Sequence, residues 1–367
     1  MRTEEYWYWL NNIEGIGNGT IEKLLLYYHR PEEIFFADAD SLKSTGVLHE
    51  RQANAMFKSR DITRIQENYG KLMEKNIHFT YYGHPDFPKK LRDLTNHPWA
   101  LYWKGNIPED EVVVAIVGTR TCTEYGKEMA LYFAQTLASA GVSIVSGLAR
   151  GIDGYAHRGA LLEQGTTYGI LGCGIDQCYP PEHIALYMKM QEKGGILSEY
   201  PPGVKAKPGL FPMRNRIISG LSDAVLVVEA KEKSGSFITV DQGLEQGKLV
   251  FAVPGRAGDE YSRGCNRLIK MGAELADDPD DLLHHFLMSR QSSACENEKN
   301  KYMLETKEKM VYSQLLLEPK HINQLVLDTG MPAKELLNVL ISLELKGYVR
   351  QSAKNYFARV LRRVSME

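Results

Sequence analysis

The sequence predicts an α/β protein with a mainly parallel β-sheet at its centre, a helical region before the sheet and a small domain after it. Six short apolar segments alternate with helical patterns in the middle of the chain, which is typical of a parallel sheet. Nearly every segment ends in Gly, Ser or Glu, so the loops that follow them gather at one edge. A polar segment, residues 291–302, then predicts a linker to the last domain.

The composition is ordinary for a soluble globular protein. Of 367 residues, 43% are hydrophobic and 25% are charged, which is enough for two or three domains that each bury a core. The net charge of -2 gives no basic field over the whole chain, so any nucleic-acid contact depends on a local patch. No signal peptide or membrane-length apolar run is found, and the five cysteines include no C-x-x-C pair. We therefore expect a cytoplasmic protein with no membrane contact and no metal site.

Residues 1–70 predict a helical domain of the SAM-like or helix-hairpin-helix type. The segment IEGIGNGTIEKLL places a glycine-rich hairpin before a helix, and LKSTGVLHERQANAMF is a weaker echo of it. Such hairpins can offer backbone N–H groups to a DNA phosphate. Alternatively, the glycines only turn the chain inside a helical bundle. Residues 71–110, which hold several prolines and aromatic residues, are interpreted as an irregular connector packed on the next domain.

Residues 111–290 carry the predicted sheet. Its strand candidates are residues 112–118, 142–147, 166–172, 194–200, 223–230 and 248–255. In an open α/β sheet a ligand binds at the carboxyl ends of the strands, so the functional residues are expected in the loops that follow these segments.

The turn after the first strand, GTRTCTEYG, lacks the G-x-G-x-x-G that cradles a dinucleotide. It places Gly118, Thr119 and Arg120 at the start of a helix, where backbone N–H groups attract an anion. An arginine so close to the turn indicates a ligand with its own negative charge.

The loop after the second strand, SGLARGIDGYAH, contains Ser146, Gly147 and Arg150. Glycine lets the backbone approach an anion, and the arginine adds charge. Alternatively, Asp153 caps the next helix and Arg150 only braces the loop. The third loop, GCGIDQCYPPEH, is expected to shape the wall of the site.

The segment KPGLFPMRNRIISG is the most informative. Lys207, Arg214 and Arg216 supply positive charge, Asn215 can bond a base edge or the backbone, and Phe211 offers a stacking face. Cations beside an aromatic ring are the elements of single-strand binding, because every nucleotide has a charge and every base has a π face. A purely structural role is the alternative for one of these residues but not for the whole cluster. Either Phe211 belongs to the core, or Arg216 forms a structural ion pair.

The loop after the fifth strand, KEKSGSFITVDQG, predicts a further phosphate cradle. Ser234, Gly235 and Ser236 precede a helix that is expected to begin near Phe237, with Thr239 in its first turn. The chain contains no G-x-x-x-x-G-K-[ST], H-E-x-x-H or G-x-S-x-G motif. We find no convincing catalytic set, and we expect neither an enzyme nor a cofactor.

Residues 303–367 predict a winged-helix domain, since three helical stretches are followed by strand-like alternation. Residues 301–367 carry eleven Lys and Arg against seven Asp and Glu. This excess permits DNA contact, but winged helices also dock proteins, and the pattern leaves both roles open.

In this order, the motifs GTR, SGLARGIDGYAH, GCGIDQCYP, SEYPPG, FPMRNRIISGLSDAVLVVEA, SGSFITVDQGLEQGK and AVPG closely resemble the DprA (Smf) family of DNA-processing proteins. The resemblance covers essentially the whole chain. It implies an extended Rossmann-like core between a helical SAM-like or helix-hairpin-helix domain and a winged helix. It also implies that Arg120 and the segment from Lys207 to Arg216 line a DNA pocket, with Phe211 as the stacking residue.

The same resemblance implies partners. Family members bind single-stranded DNA, load the RecA recombinase on it during natural transformation and help to displace single-strand-binding protein, and no catalysis is attributed to their core. A homodimer is implied as well, and the apolar residues of DDLLHHFL are compatible with it.

Two other functions remain open at this point. The core also resembles the cytokinin-activating LOG phosphoribohydrolases, so a hydrolase or sensor of a nucleotide-derived ligand is the alternative. Against it, SGSFITVDQ lacks the proline and the glycine pair of their P-G-G-x-G-T-x-x-E loop, and Asp241 or Gln242 is nearest to the catalytic glutamate. A transcription factor with a ligand-sensing core is the third possibility.

Overall fold

The computed structural model describes residues 1–286, 306–316, 318–346 and 348–359. The chain forms two compact units, Met1–Ser289 and Arg290–Glu367. The finer domain limits at residues 70, 110 and 302 remain predictions. The predicted linker lies outside the described residues. None of the described helices is long and apolar enough to cross a membrane.

The first unit combines helices with one large sheet. Its α-helices are α1 Thr3–Asn11, α2 Asn18–Tyr28, α3 Pro31–Phe36, α4 Ala39–Ser44, α5 Glu50–Lys58, α6 Ile62–Glu74, α7 Lys89–Arg92, α8 Glu124–Ser139, α9 Ile152–Leu162, α10 Ile184–Lys193, α11 Leu210–Leu221, α12 Ser236–Glu245, α13 Arg263–Lys270 and α14 Asp280–His285. Its strands are β1 His78–Tyr81, β2 Ala100–Gly105, β3 Val113–Val117, β4 Ser143–Ser146, β5 Thr167–Leu171, β6 Gly195–Ser198, β7 Ala224–Val227, β8 Leu249–Ala252 and β9 Glu274–Leu275.

The described part of this unit contains one nine-stranded sheet in the order β1-β2-β6-β5-β4-β3-β7-β8-β9. The strands β3 to β9 pair in parallel, and all six predicted strands are confirmed. From β3 the chain adds β4, β5 and β6 on one side and then returns to add β7, β8 and β9 on the other. The strand order therefore reverses between β3 and β7, which is where an open α/β sheet binds its ligand.

The interpretation of residues 71–110 as an irregular connector is wrong. This segment forms β1 and β2, and β2 extends the sheet by pairing antiparallel with β6, with Tyr102 opposite Ser198. Four consecutive residues of β2, from Ala100 to Trp103, are buried. A strand that is covered on both faces shows no apolar–polar alternation, so the sequence lacked the signal that identifies a half-exposed strand.

Helix α8 shows how the sequence sets the geometry after β3. The Thr123 hydroxyl accepts a hydrogen bond from the Gly126 amide at 3.2 Å and caps the helix. The predicted apolar face is confirmed, because Met129, Phe133 and Leu137 are all buried. The cap begins the helix at Glu124 and leaves the preceding residues as a turn at the sheet edge.

The helical region before the sheet has a glycine turn between two helices at each of the two places where the sequence predicts a helix-hairpin-helix unit. Gly15 and Gly46, which lie in the two turns, have φ of +80° and +65°, a region that favours glycine. The Gln52 amide donates to the Gly15 carbonyl at 2.8 Å, so the first hairpin packs on the second unit. At the start of α2, the Asn18 amide donates to Glu199 Oε1 at 2.6 Å. These contacts favour the packing role of the glycines.

The second unit has the elements of the predicted winged helix. Its described helices are α15 Thr306–Gln314, α16 Ile322–Thr329 and α17 Ala333–Leu345, and its strands are β10 Lys320–His321, β11 Val349–Ala353 and β12 Tyr356–Arg359. The strands form a small sheet in the order β10-β12-β11. Leu325, Leu336, Leu340 and Phe357 belong to its own buried core.

Candidate nucleic-acid interface

A cavity of about 570 Å³ lies at the carboxyl edge of the large sheet, where the strand order reverses. Its wall is built from the loops that follow β3, β4, β5, β6 and β7. The predicted site residues that line it are Gly118, Thr119, Arg120, Phe211, Arg214, Asn215, Ser234, Gly235 and Thr239. The fold therefore brings together residues that are more than a hundred positions apart.

The GTR turn presents Arg120 at the cavity. The Thr119 amide donates to the Glu229 carbonyl at 2.8 Å, which fixes the turn against the end of β7. Gly118 has no room for a side chain, since a Cβ would lie 2.6 Å from Ile152 Cγ1. The Arg120 side chain is exposed, and its guanidinium carbon lies over the Phe211 ring, 5.4 Å from the centroid. The turn holds an exposed cation beside an aromatic face.

Phe211 is half-buried at the start of α11. Its ring packs on the backbone of Gly172, where a Cβ would lie only 2.8 Å from Phe211 Cδ1. The Tyr179 ring lies 5.5 Å away, tilted by 35°. Phe211 thus belongs both to the cavity wall and to the local packing. The sequence left open whether this ring offers a stacking face or belongs to the core, and its position fits both.

Arg214 is buried and bonded to the sheet. Its Nη1 donates to the carbonyl of Gly147 at 2.7 Å and also to that of Ile170. Burial lowers the pKa of the guanidinium to about 10, and the nearby Asp153 carboxylate opposes the decrease. The group keeps its charge at neutral pH, but much of its hydrogen-bonding capacity is used by the loops themselves.

Two residues of the second loop, Ser146 and Gly147, lie behind the cavity wall. The prediction that they contact a ligand directly is therefore wrong. The Ser146 hydroxyl is fully buried and donates to the Ile116 carbonyl at 2.6 Å. Gly147 does not line the cavity, and a Cβ there would lie 2.5 Å from Arg214 Nη1. The glycine is needed because the guanidinium packs against it.

Arg216 does not reach the cavity either. Successive helical residues are rotated by about 100°, so a residue two positions after Arg214 points to the opposite side of α11. There its Nη2 pairs with Glu199 Oε1 at 2.6 Å, with side chains only 4% and 13% exposed. The assignment of Arg216 to the ligand site is therefore wrong, and the alternative of a structural ion pair is confirmed.

Arg150 and Lys207 lie outside the set of cavity-lining residues. Arg150 is exposed and pairs with Glu182, which is the bracing role that the sequence left open. Lys207 is exposed between Ala206 and Pro208, both of which line the cavity. The lysine thus lies at the rim, within reach of a ligand that extends out of the cavity.

The serine-rich loop after β7 forms the opposite wall. Helix α12 begins at Ser236, one residue before the expected start, and the Ser236 hydroxyl donates to Ser234 Oγ at 2.8 Å. Apart from Gly235 and its two chain neighbours, no heavy atom in the described part of the chain lies within 4 Å of the place where a Cβ of Gly235 would stand. The backbone of this loop is open to the cavity, as an anion site requires.

The lining residues that were not identified from the sequence include one aromatic residue, Tyr179, and two lysines, Lys231 and Lys233. The lysines belong to the segment KEKSGS, so the sequence shows their positive charge. It does not show that their side chains line the cavity. The ammonium group of Lys231 lies 3.1 Å from Glu260 Oε1 and 4.3 Å from the centre of the Tyr261 ring, while Lys233 is exposed.

The electrostatic character of the cavity is positive. Arg120, Arg214, Lys231 and Lys233 contribute cations, whereas Asp153 is the carboxylate among the described lining residues. Asp153 does not cap α9 as suggested. Instead its carboxylate accepts hydrogen bonds from the amides of Gly147 at 3.1 Å and Ala149 at 3.4 Å. Burial raises its pKa, which the charge of Arg214 partly offsets.

The LOG-like alternative depends on the segment SGSFITVDQ, which ends inside α12. Asp241 and Gln242, the residues nearest to the catalytic position of the LOG enzymes, do not line the cavity. Asp241 is exposed, and the Gln242 amide donates to the Pro212 carbonyl at 3.5 Å. Within the described ranges, no group of three or more His, Cys, Asp or Glu side chains is placed to hold a metal ion.

Two family models match this chain, one over the large sheet and one over the second unit. The family model described as DNA recombination-mediator protein A matches residues 78–287, and the DprA winged helix domain matches residues 298–354. Protein Smf of Escherichia coli is 35% identical over 356 residues, which cover 95% of this chain and 94% of that protein. The DNA processing protein DprA of Streptococcus pneumoniae is 34% identical over 291 residues, covering 78% of this chain and 99% of that protein.

Solved structures agree with this. The crystal structure of DprA from Streptococcus pneumoniae has a TM-score of 0.67 at 32% identity and covers 77% of this chain and 98% of its own. A structure of DprA from Helicobacter pylori, described by its unique single-stranded DNA binding mode, has a TM-score of 0.51 at 30% identity and covers 57% of this chain and 96% of its own. The predicted fold class is confirmed.

Proposed function

The chain belongs to the DprA (Smf) family of DNA recombination-mediator proteins, and from this membership we propose that it binds single-stranded DNA in the cavity between the GTR turn and the serine-rich loop. One observation carries the proposal: the exposed side chains of Arg120 and Lys233 line the same cavity as the rings of Phe211 and Tyr179. The Helicobacter pylori relative, whose structure is described by its single-stranded DNA binding mode, supports the choice of ligand.

The residues in and beside the cavity are assigned roles according to which of their polar groups are left available for a ligand. Arg120, Asn215 and Lys207 at the rim are proposed to meet phosphates or base edges, and Phe211 to support stacking. The open backbone of the serine-rich loop is proposed to receive phosphate oxygens, with contributions from Gly118, Thr119, Ser234, Gly235 and Thr239. Arg214 acts as a positioning residue, because its guanidinium holds the ends of β4 and β5 together.

We expect the protein to bind oligo-dT more tightly than the corresponding duplex at every salt concentration tested. In a duplex the base faces are covered by their neighbours, so the aromatic wall of the cavity contributes only to single-strand binding. Titration of fluorescein-labelled oligo-dT and of a duplex of equal length at several salt concentrations measures this preference. Equal affinity for the two forms across the series would refute the proposed function.

The winged helix is proposed to dock a protein. In many winged helices the third helix reads DNA with polar and charged side chains. Here α17 instead exposes Leu337, Ile341 and Leu345, spaced one helical turn apart and 41%, 46% and 84% accessible. An apolar stripe of this kind is typical of protein contact. Duplex binding that disappears when residues 306–359 are deleted would contradict this role.

The remaining proposals rest on family membership. We propose that the protein acts in the cytoplasm without catalysis, loads RecA on incoming single strands, helps to displace single-strand-binding protein and forms a homodimer. Leu282 and Leu283, two of the apolar residues near the end of the first unit, are buried in their own chain and are not proposed for the dimer face. Light scattering is expected to give about twice the chain mass of 41.5 kDa, and a mass near 41.5 kDa at micromolar concentration would contradict the dimer.

A further inference from the structure

Tyr179 is an aromatic residue of the cavity to which neither the sequence nor the family comparison assigns a role. It lies in the loop after β5, lines the cavity and is 43% exposed. Phe211, in contrast, is half-buried. An open ring beside several cations is suited to receive a flat, negatively charged ligand such as a nucleotide.

In the cavity wall, Phe211 packs between the backbone of Gly172 and the ring of Tyr179. Phe211 is backed by Gly172, carries the Arg120 guanidinium 5.4 Å from its centroid, and lies 5.5 Å from the Tyr179 ring. With three neighbours around it, Phe211 has less free surface than Tyr179. The outermost aromatic surface of the wall therefore belongs to Tyr179.

The loop that carries Tyr179 is held firmly. Two prolines follow it and restrict the backbone, and the Pro180 carbonyl accepts a hydrogen bond from the His183 amide at 3.1 Å. On the other side, the Tyr187 hydroxyl donates to the Ile175 carbonyl at 2.6 Å. A ring that is already positioned loses little conformational entropy when a ligand binds.

We propose that Tyr179 stacks on an unpaired base of the bound strand, with Phe211 supporting it from behind and Arg120 placed for the adjacent phosphate. This inference rests on the proposed function and deepens it. Because every base has a π face, the contact accepts any base. Because stacked pairs in a duplex cover these faces, the contact discriminates against double-stranded DNA.

The test compares Tyr179→Ala with the wild-type protein on oligo-dT and on an abasic oligomer, which has the same number of phosphates but no bases. We expect the substitution to weaken oligo-dT binding about 5- to 150-fold, the effect of losing one stacked base. Affinity for the abasic oligomer is expected to stay unchanged, because the phosphate contacts remain.

Two control variants complete the experiment. Tyr179→Phe keeps the ring and is expected to bind oligo-dT as the wild-type protein does. Tyr27→Ala removes a tyrosine that is 58% exposed on α2 and does not line the cavity, and it is expected to have no effect.

The possible outcomes are distinct. Equal losses on both oligomers, or no loss on either, would overturn the role of Tyr179 while leaving single-strand binding intact. Failure of the wild-type protein to bind oligo-dT would instead contradict the proposed function, and this result is visible before any variant is compared.

Discussion

Replacing Arg216 by alanine is expected to destabilise the first unit by about 3–5 kcal/mol, while the folded variant keeps its affinity for oligo-dT. The side chains of Arg216 and Glu199 are 4% and 13% exposed. Removing the guanidinium leaves the Glu199 carboxylate buried, with the Asn18 side-chain amide still donating to it. The denaturation midpoint in urea measures the loss, and binding is measured well below that midpoint.

Matched variants separate the ion pair from the simple loss of an arginine. Arg150→Ala removes the exposed pair with Glu182, whose side chains are 58% and 48% accessible, and such pairs contribute about 0–1 kcal/mol. Adding Glu199→Gln to Arg216→Ala removes the uncompensated charge and is expected to recover part of the stability. An Arg216→Ala protein that is as stable as the wild type but binds oligo-dT weakly would show that Arg216 contacts DNA after all.

Replacing Phe211 by alanine is expected to weaken oligo-dT binding by about 1–3 kcal/mol, with an almost unchanged salt dependence. The ring supports the stacking surface but carries no charge, so its loss releases no counterions. Because Phe211 also packs on Gly172 and Tyr179, a lower melting temperature is expected as well. Fluorescence titrations at several salt concentrations, together with melting curves, measure both effects.

Two further variants isolate the aromatic contribution. Phe211→Leu fills much of the same space without an aromatic face, so it is expected to recover stability more than affinity. Phe36→Ala removes a phenylalanine that is 70% exposed in the helical region and is expected to leave binding unchanged. If Phe211→Ala lowered only the melting temperature, the ring would be a core residue with no part in DNA binding.

The sequence was sufficient for the parallel strands and for a cavity at the carboxyl edge of the sheet. Buried runs such as Val113–Val117 are apolar throughout, and the loops after them are marked by glycine and serine. The location of Arg120 followed directly, since a turn after a parallel strand lies at the ligand-binding edge. Residues 78–105 were misjudged because β2 is buried on both faces and lacks alternation.

The individual roles of the arginines required the structure. Charge counting along KPGLFPMRNR treated Arg214 and Arg216 alike, but helix geometry turns them to different sides, and each meets a different partner. The partner of Arg216 is shared with Asn18, which is 181 positions from Glu199. No local pattern predicts a contact over that distance. The sequence also does not show that the Tyr179 side chain, in its proline-rich loop, lines the cavity.

The most direct test of DNA binding in this cavity is the salt dependence of oligo-dT affinity for Arg120→Ala. If the exposed guanidinium neutralises one phosphate, the variant is expected to bind more weakly, and the slope of log affinity against log salt is expected to fall in magnitude by roughly 0.7. Arg158→Ala is the matched control, because Arg158 is exposed on α9 over the Tyr155 ring and does not line the cavity. A reduced slope for Arg120→Ala beside an unchanged one for Arg158→Ala is the predicted result, and wild-type slopes for both variants would contradict the account.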